Sequence, residues 1–326
     1  MIRAIMALTL LLTANAKAMA EAAPDSSNWP KRVIRFIVTA APGSAGDTVS
    51  RIVGQKLSER LGQQFVFDNR PAAGGTVASE ALARSTPDGY TVGLVTTSTH
   101  AIATIFSPNL SYDPVKDFAP ISMIGSSPYV LAIYPGLAAK TVADLVALAK
   151  AKPKQLNNGV FGTTSLGYLA GILFEQQTGV ELNHVSYRSS AQAVIDAVAG
   201  RVEMQFSTLA PAIPLIGDGK LRALATTGAK RVATLPEVPT LAESGLTGYD
   251  VALWMGIAAP AGTPPAIVER LNLEMTSILA LSEVRKSLLQ AGMVAEPGSS
   301  GDLGARIDGD IRKWRSLASK AGLKNR

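Results

Sequence analysis

The stretch "TAAPGSAGDTVSRIVG" (residues 39–54) joins the end of an apolar strand to the start of an amphipathic helix. Its apolar side chains Val49, Val53 and Leu57 recur at four-residue spacing, which predicts a helix over residues 45–61 with one buried face. Proline and small residues fill the turn before that helix. A strand that enters a helix through such a turn is typical of the first unit of a parallel α/β sheet.

The same alternation of strand and helix continues along the chain. The predicted strands are residues 33–40, 63–69, 90–98, 129–135, 157–162, 182–187, 201–208, 221–228 and 249–260. The predicted helices are residues 45–61, 74–85, 141–153, 165–179, 190–200, 264–281 and 300–321. With 326 residues the chain is long enough for two domains of ordinary size. We therefore expect two α/β lobes, the first formed by residues 30–128 plus 251–326 and the second by residues 129–250.

The N-terminus has the pattern of a secretory signal peptide. A short apolar run follows Arg3, and the two small-x-small sites end at Ala16 and Ala20. The apolar run is too short to span a bilayer, and no later stretch contains about 20 unbroken apolar residues. We expect residues 1–20 to be removed and the mature protein to be periplasmic.

Composition excludes several kinds of chemistry. The chain contains no cysteine, which rules out disulfides, a thiolate nucleophile and thiolate metal ligands. The two histidines, His100 and His184, are too far apart in sequence to form a common zinc motif. No phosphate-binding or dinucleotide-binding glycine motif is present. The sequence therefore predicts neither a metal ion nor a cofactor.

The charge balance argues against nucleic acid as a partner. The net charge is +6, and it falls to +4 once Arg3 and Lys17 leave with the signal peptide. The basic residues form no continuous run and do not alternate with aromatic residues, as they do in nucleic-acid-binding surfaces. A mild positive potential suits a small anion, although solvated lysines account for it equally well.

Five predicted strands end in loops rich in glycine or small hydroxyl residues. Ligands of open parallel sheets bind beyond the carboxyl ends of the strands. The first amides of a helix have no internal partner, and the helix dipole favours negative charge there, so such loops can hold an anion. The loops are residues 41–47, 96–101, 161–167, 187–193 and 207–211.

A serine hydrolase is the alternative reading of one of these loops. "TTSLG" (163–167) is close to the nucleophile-elbow motif, with Ser165 in the position of the nucleophile. The first glycine of that motif is replaced by Thr163. The base would be His184, which follows Ser165 too closely for the sheet that such hydrolases use. We therefore expect no catalysis.

Long blocks of the chain resemble the Bug family, the substrate-binding receptors of tripartite tricarboxylate transporters. The first block is "WPKRVIRFIVTAAPGSAGDTVSRIVGQKLSERLGQQFVFDNRPAAGGTVASEALARSTPDGYT" (29–91). Further blocks are "YDPVKDFAPISMIG" (112–125), "LRALATTGAKR" (221–231) and "LPEVPTLAESGLTGYDVALWMGIAAPAGTPP" (235–265). The resemblance covers essentially the whole mature chain.

The resemblance implies an α/β fold of the type II periplasmic-binding-protein class, with two lobes, a hinge and a ligand cleft between the lobes. It also implies a small carboxylate as ligand, a membrane permease of a tripartite transporter as partner, and a monomer; a ligand sensor without a transport role is the other possibility. The residues that match the family's ligand-binding positions are Pro42, Gly43, Ser44, Ala45, Asp47, Thr97, Ser98, His100, Gly162, Thr163, Thr164, Ser165, Tyr187, Arg188 and Ser207.

Three positions depart from the family pattern. Ser44 stands where a second glycine is common, and Tyr168 stands where many members have histidine. Ser207 falls where many members carry an aspartate, which would pair with an amino group of the ligand. Its loss favours a carboxylate that has no amino group.

Overall fold

The computed structural model describes residues 28–107 and 109–323, so the predicted signal peptide lies outside the described residues. Within that part of the chain, one mixed sheet of ten strands is covered by helices. The strands are β1 (Ile34–Val38), β2 (Phe65–Asn69), β3 (Thr91–Thr96), β4 (Phe118–Ile133), β5 (Asn157–Phe161), β6 (Asn183–Tyr187), β7 (Met204–Thr208), β8 (Arg222–Thr226), β9 (Ala252–Pro260) and β10 (Val294–Ala295).

The α-helices alternate with these strands over most of the chain. They are α1 (Ala45–Leu61), α2 (Thr76–Ala83), α3 (Ala103–Phe106), α4 (Val142–Ala151), α5 (Leu166–Thr178), α6 (Ser190–Val198), α7 (Leu209–Gly217), α8 (Pro265–Ala280), α9 (Ser282–Gln290) and α10 (Ser300–Lys320). A short 3-10 turn, Ala72–Gly75, precedes α2, and a π turn, Ser98–Ile102, precedes α3.

The sheet consists of two halves that share β4. In the first half, β1 pairs in parallel with β2 and β3, and β9 pairs antiparallel with both β3 and β4. In the second half, β5 pairs in parallel with β6 and β7, while β4 pairs antiparallel with β7 and β8. The mixed α/β architecture with two lobes is therefore confirmed, whereas the exact lobe boundaries stay a prediction.

Two segments connect the halves of the sheet. One is the middle of β4, and the other is the chain that leads into β9. Residues 118–128 of β4 pair with β9, and residues 129–133 pair with β7 and β8. Buried Thr227 ties the two crossing segments together. Its hydroxyl accepts a hydrogen bond from Tyr129 N (2.7 Å) and donates one to Val251 O (2.5 Å).

Helix α1 forms where its apolar spacing predicts. Val49, Val53 and Leu57 are fully buried and pack in the core that covers one face of the first half-sheet. Gly62 ends the helix in the left-handed conformation (φ 67°), and its N–H donates to Ser58 O at 3.0 Å. Glycine adopts this conformation without the steric cost that a Cβ brings.

The hydrophobic cores also differ between the two faces of the molecule. One large core runs without a break from the first lobe into the second, and includes Ile37, Leu131, Phe174, Trp254 and Trp314. On the opposite face each lobe has a separate core, one under α1 and α8 and the other under α6 and α7.

Three features of the fold differ from the sequence prediction. β4 begins at Phe118 rather than at residue 129, and α7 and α9 were not predicted. The sequence did not predict the first part of β4 because it contains Pro120 and Gly125, and both residue types are unfavourable in strands. The strand accommodates them with register shifts beside both positions. Helix α7 contains Pro214, which sequence rules treat as a helix breaker.

Candidate functional site

The carboxyl ends of the parallel strands meet at the edge between the two lobes. Thr96, the last residue of β3, pairs with Met255, close to the point where β4 leaves the first half-sheet. Thr208, the last residue of β7, pairs with Tyr129, where β4 enters the second half-sheet. The loops after β1, β3, β5, β6 and β7 therefore all start at this interlobe edge, where open α/β sheets bind ligands.

The loop between β1 and α1 is built around a buried carboxylate. Asp47 accepts hydrogen bonds from Gly43 N, Asn69 Nδ2 and Arg51 Nε, each at 2.9 Å. Burial by itself raises the pKa of Asp47, but the hydrogen bonds from Arg51, Gly43 and Asn69 outweigh it and hold the pKa below its ordinary value. The carboxylate of Asp47 thus holds the first loop together, and its contact with ligand stays a prediction.

The rest of this loop forms the N-terminal cap of α1. Ser44 caps α1, and its hydroxyl donates to Ala41 O at 2.7 Å. Gly43 is exposed, has a left-handed φ of 78°, and has open space where a Cβ would stand. Among the described residues, nothing accepts a hydrogen bond from the amides of Ala45 and Gly46. Two N–H groups at the positive end of α1, from exposed Ala45 and buried Gly46, thus have no acceptor within the described protein. The binding of ligand by Pro42, Gly43, Ser44 and Ala45 stays a prediction.

The loop after β3 is mostly buried and takes part in the hinge. Thr97 is fully buried, and its hydroxyl accepts a hydrogen bond from Trp254 N at 2.8 Å. Ser98 is the exposed residue of the three predicted here. The Thr97 hydroxyl thus links the loop after β3 to β9, and the role of Thr97 in ligand binding stays a prediction.

His100 lies in the core rather than in a cleft. It is fully buried, its ring centroid lies 4.5 Å from that of Phe118, and Nδ1 is 2.9 Å from Thr99 Oγ1. Nε2 has no hydrogen-bond partner among the described residues. Burial lowers the pKa of His100 to about 3. The structure places His100 in the core, and the contact with ligand stays a prediction.

We expect the protein to lose stability at mildly acidic pH because His100 must be neutral in the fold. Its folded pKa of about 3 lies below the unfolded value of 6.5, so the unfolded state binds more protons between these pH values. His100 alone should cost about 2 kcal/mol of unfolding free energy between pH 7.5 and pH 5. Urea denaturation at the two pH values measures the loss. In His100→Phe the loss should be smaller by that amount, and an unchanged loss would contradict this account.

The loop between β5 and α5 resembles the first loop in construction. Gly162 has a left-handed φ of 70°, and Thr163 and Thr164 are exposed. Ser165 caps α5: its hydroxyl accepts from Tyr168 N (3.2 Å) and donates to Gly162 O (3.0 Å). The amides of the next two residues, which open α5, have no acceptor among the described residues. The second lobe thus also presents a helix N-terminus at the interlobe edge.

The predicted residues after β6 and β7 are of two kinds: one is exposed without a partner, and the others form hydrogen bonds within the protein. Arg188 is exposed and forms no ion pair or hydrogen bond within the described chain. The hydroxyl of Tyr187 donates to Asp196 at 2.9 Å. Ser207 is buried and donates to Thr208 O at 3.2 Å. Arg188 is therefore the unpaired cation among these three residues, while the hydroxyls of Tyr187 and Ser207 each donate a hydrogen bond within the protein. The role of all three in ligand binding stays a prediction.

The arrangement does not support the serine hydrolase alternative. Ser165 Oγ contacts only backbone atoms of its own loop. His184 contacts Glu175 (Nε2 to Oε2, 3.0 Å) and Asn158 (Nδ1 to Nδ2, 3.1 Å) instead of a serine. A nucleophile needs a general base within hydrogen-bond reach, and Ser165 has none.

Two aromatic residues at the same edge were missed by the sequence analysis. Phe161 ends β5, is 55% exposed and pairs in register with Tyr187. Tyr129 lies on β4 at the crossing, and its ring stands 3.4 Å from where a Cβ at Gly167 would be, beside the start of α5. Burial raises the pKa of Tyr129 to about 12, so its hydroxyl stays protonated. The signal for Phe161 was present: it is the last residue of a strand before a glycine loop.

Comparison with known proteins decides the family. The model for the tripartite tricarboxylate transporter family receptor, TctC, matches residues 49–323. The chain belongs to the TctC family. BugT of Bordetella pertussis is 32% identical over 305 residues, which cover 93% of this chain and 94% of BugT. The resemblance to the Bug family is therefore confirmed.

Two solved structures of Rhodopseudomonas palustris proteins share the fold. One, solved with adipate, is 35% identical with a TM-score of 0.74, and the match covers 90% of this TctC chain and 99% of that chain. The other, MatC, solved with bound malate, is 29% identical with a TM-score of 0.69, covering 89% and 99%. TctC proteins are periplasmic solute-binding receptors rather than enzymes.

Residues 28–107 and 109–323 of this TctC protein contain no helix that is both long and apolar enough to cross a bilayer. Over the same residues, His, Asp and Glu side chains form no group of three that could hold a metal ion.

Proposed function

We propose that this TctC protein captures a small dicarboxylate between its lobes and presents it to the permease of a tripartite tricarboxylate transporter. The observation that carries the proposal is the pair of helix N-termini, α1 and α5, which open at the same interlobe edge. Each offers two amides without an acceptor among the described residues. One carboxylate on each helix would place the ligand across the two lobes, and this would favour lobe closure.

The available interactions are strong enough for a useful affinity. A hydrogen bond to a charged group contributes about 1.5–3 kcal/mol, and a partly buried helix terminus up to about 2 kcal/mol. Four amide bonds, less the cost of ordering, reach the roughly 8 kcal/mol of micromolar binding. Exposed Arg188 could add a bidentate contact to a carboxylate.

Chemistry at the edge favours a ligand without an amino group. An ammonium needs a carboxylate or several acceptors when it leaves water. Asp47 has both of its oxygens engaged within the first loop, and Ser207 replaces the aspartate that many members of the family carry. The relatives solved with adipate and malate hold dicarboxylates of this kind.

The remaining parts of the proposal concern the whole molecule. Residues 1–20 would direct export to the periplasm, and the mature protein would work as a monomer. Residues 30–128 with 251–326 would move as one lobe and residues 129–250 as the other, since β4 and the segment before β9 are the connections tied together by Thr227.

We expect adipate and malate to bind this protein, whereas aspartate and glucose should not. Titration calorimetry of the mature chain should give dissociation constants in the micromolar range for at least one dicarboxylate. Aspartate tests the exclusion of an amino group, because it matches malate in length and in both carboxylates. A flat response to both acids, together with clear binding of aspartate or glucose, would overturn the assigned ligand class.

A further inference from the structure

A cavity lies between the lobes, beside β4. Its volume is about 780 Å³, within the usual range of small-molecule sites. The second lobe contributes the start of α7 and residues 228–234, and the first lobe contributes the end of α9 and residues 292–296. We call this cavity the β10 groove, after the short strand on its wall.

The β10 groove lies on the other side of β4 from the loops after β1 and β3. Leu209 and Ala210 of the loop after β7 contribute to its wall, but none of the residues that match the family's ligand-binding positions lines it. At Ser126, β4 pairs with Trp254 of β9 on one side and with Val294 of β10 on the other. The loops after β1 and β3 lie beyond β9, so β4 stands between them and the groove.

The wall of the groove carries more positive than negative charge. Its cations are Lys230, Arg231, Arg285 and Arg306, and its carboxylates are Asp250 and Glu296. Arg231 pairs with Glu243, and Arg306 pairs with Asp250.

Two of these cations have no carboxylate partner. Lys230 and Arg285 are both exposed, and neither forms an ion pair within the described chain. The one hydrogen bond of the Arg285 side chain runs from Nε to Leu279 O (2.9 Å), which leaves its terminal nitrogens open. Lys230 belongs to the second lobe and Arg285 to the first, so an anion held by both would bridge the lobes.

The rest of the groove is apolar. Leu209, Val232 and Met293 form buried parts of its wall, and Ile213 is half-buried. Leu289 lines it with 43% of its surface exposed. An apolar surface next to unpaired cations is complementary to a molecule with an acidic head and a hydrocarbon body.

We propose that the β10 groove is a second binding site, for an amphipathic organic anion, independent of the dicarboxylate cleft. The acidic head lies between Lys230 and Arg285, and the apolar body packs on Ile213 and Leu289. Because the head contacts both lobes, occupancy of the groove restrains their relative movement. The ligand thereby affects the capture of the primary solute without touching it.

Octanoate is a suitable probe, with butyrate to test the apolar part. We expect calorimetry on the mature protein to show one octanoate site, with butyrate at least tenfold weaker. Lys230→Gln and Arg285→Gln should each weaken octanoate at least tenfold. Lys286→Gln is the matched control, since Lys286 follows Arg285 on α9 but does not line the groove.

A cleft variant separates this proposal from binding at the primary site. Gly43→Val alters the loop before α1 and should leave the affinity for octanoate unchanged. If Gly43→Val abolishes octanoate binding while Lys230→Gln and Arg285→Gln retain it, the fatty acid occupies the dicarboxylate cleft and the proposal fails. Absence of octanoate binding, or equal affinity for butyrate, would also overturn it.

Discussion

Gly43→Val is expected to lower the affinity for the dicarboxylate by more than 100-fold. Gly43 has a φ of 78°, a conformation that costs an L-residue about 1–2 kcal/mol. A valine there would either strain the loop or shift it, and its side chain would enter the open space in front of α1. Loss of the two hydrogen bonds from Ala45 and Gly46 corresponds to about 3–6 kcal/mol, which exceeds the value for a 100-fold change.

Gly62→Val provides a matched control for this prediction. Gly62 has a φ of 67° and equally open space at the Cβ position, but it lies at the opposite end of α1. Both variants should lose similar amounts of unfolding free energy in urea, while calorimetry should show weaker binding only for Gly43→Val. Equal affinity of the two variants would remove the first loop from the binding site.

Asp310→Ala is expected to cost about 1–3 kcal/mol of unfolding free energy, because it removes a buried acceptor from the donors around it. Asp310 is 4% exposed and lies on α10. Its carboxylate accepts the indole N–H of Trp254 at 2.7 Å and lies 2.8 Å from Lys313 Nζ and 3.4 Å from Arg306 Nε. Removing it also leaves the indole N–H of a fully buried tryptophan without a partner.

Asp308→Ala tests whether burial is the cause. Asp308 lies two residues earlier on the same helix and pairs with Arg312 at 2.7 Å, but both side chains are exposed. An exposed pair of this kind contributes less than about 1 kcal/mol. Urea denaturation followed by tryptophan fluorescence should separate the two variants clearly. Similar losses in both variants would show that the contact between Asp310 and Trp254 does not anchor α10 to β9.

Local sequence signals predicted the loops that open the helices. In the structure Ser44 and Ser165 cap α1 and α5, as serine commonly does before a helix, and Gly62 ends α1. These features depend on residues only a few positions apart, so helix starts and ends can be predicted without knowledge of the tertiary structure. The two helix N-termini on which the proposed site depends follow from that pattern.

Several side chains that the family pattern places at the ligand make contacts with residues far away in the sequence. His100 lies against Phe118, Thr97 binds Trp254 N, and neither contact has a local signal. Asp47 was recognised as a helix-entry residue, but its bond to Asn69 depends on the parallel pairing of β1 with β2.

By itself the sequence determined the α/β class, the position of α1 and the glycine and serine loops at the strand ends. The reason is that periodicity, capping and turn formation are interactions between near neighbours in the chain. Only the tertiary structure decided that β4 serves both lobes, that His100 is buried, and that Lys230 and Arg285 face one groove. Those outcomes depend on the pairing and packing of segments far apart in sequence, which single-residue patterns do not encode.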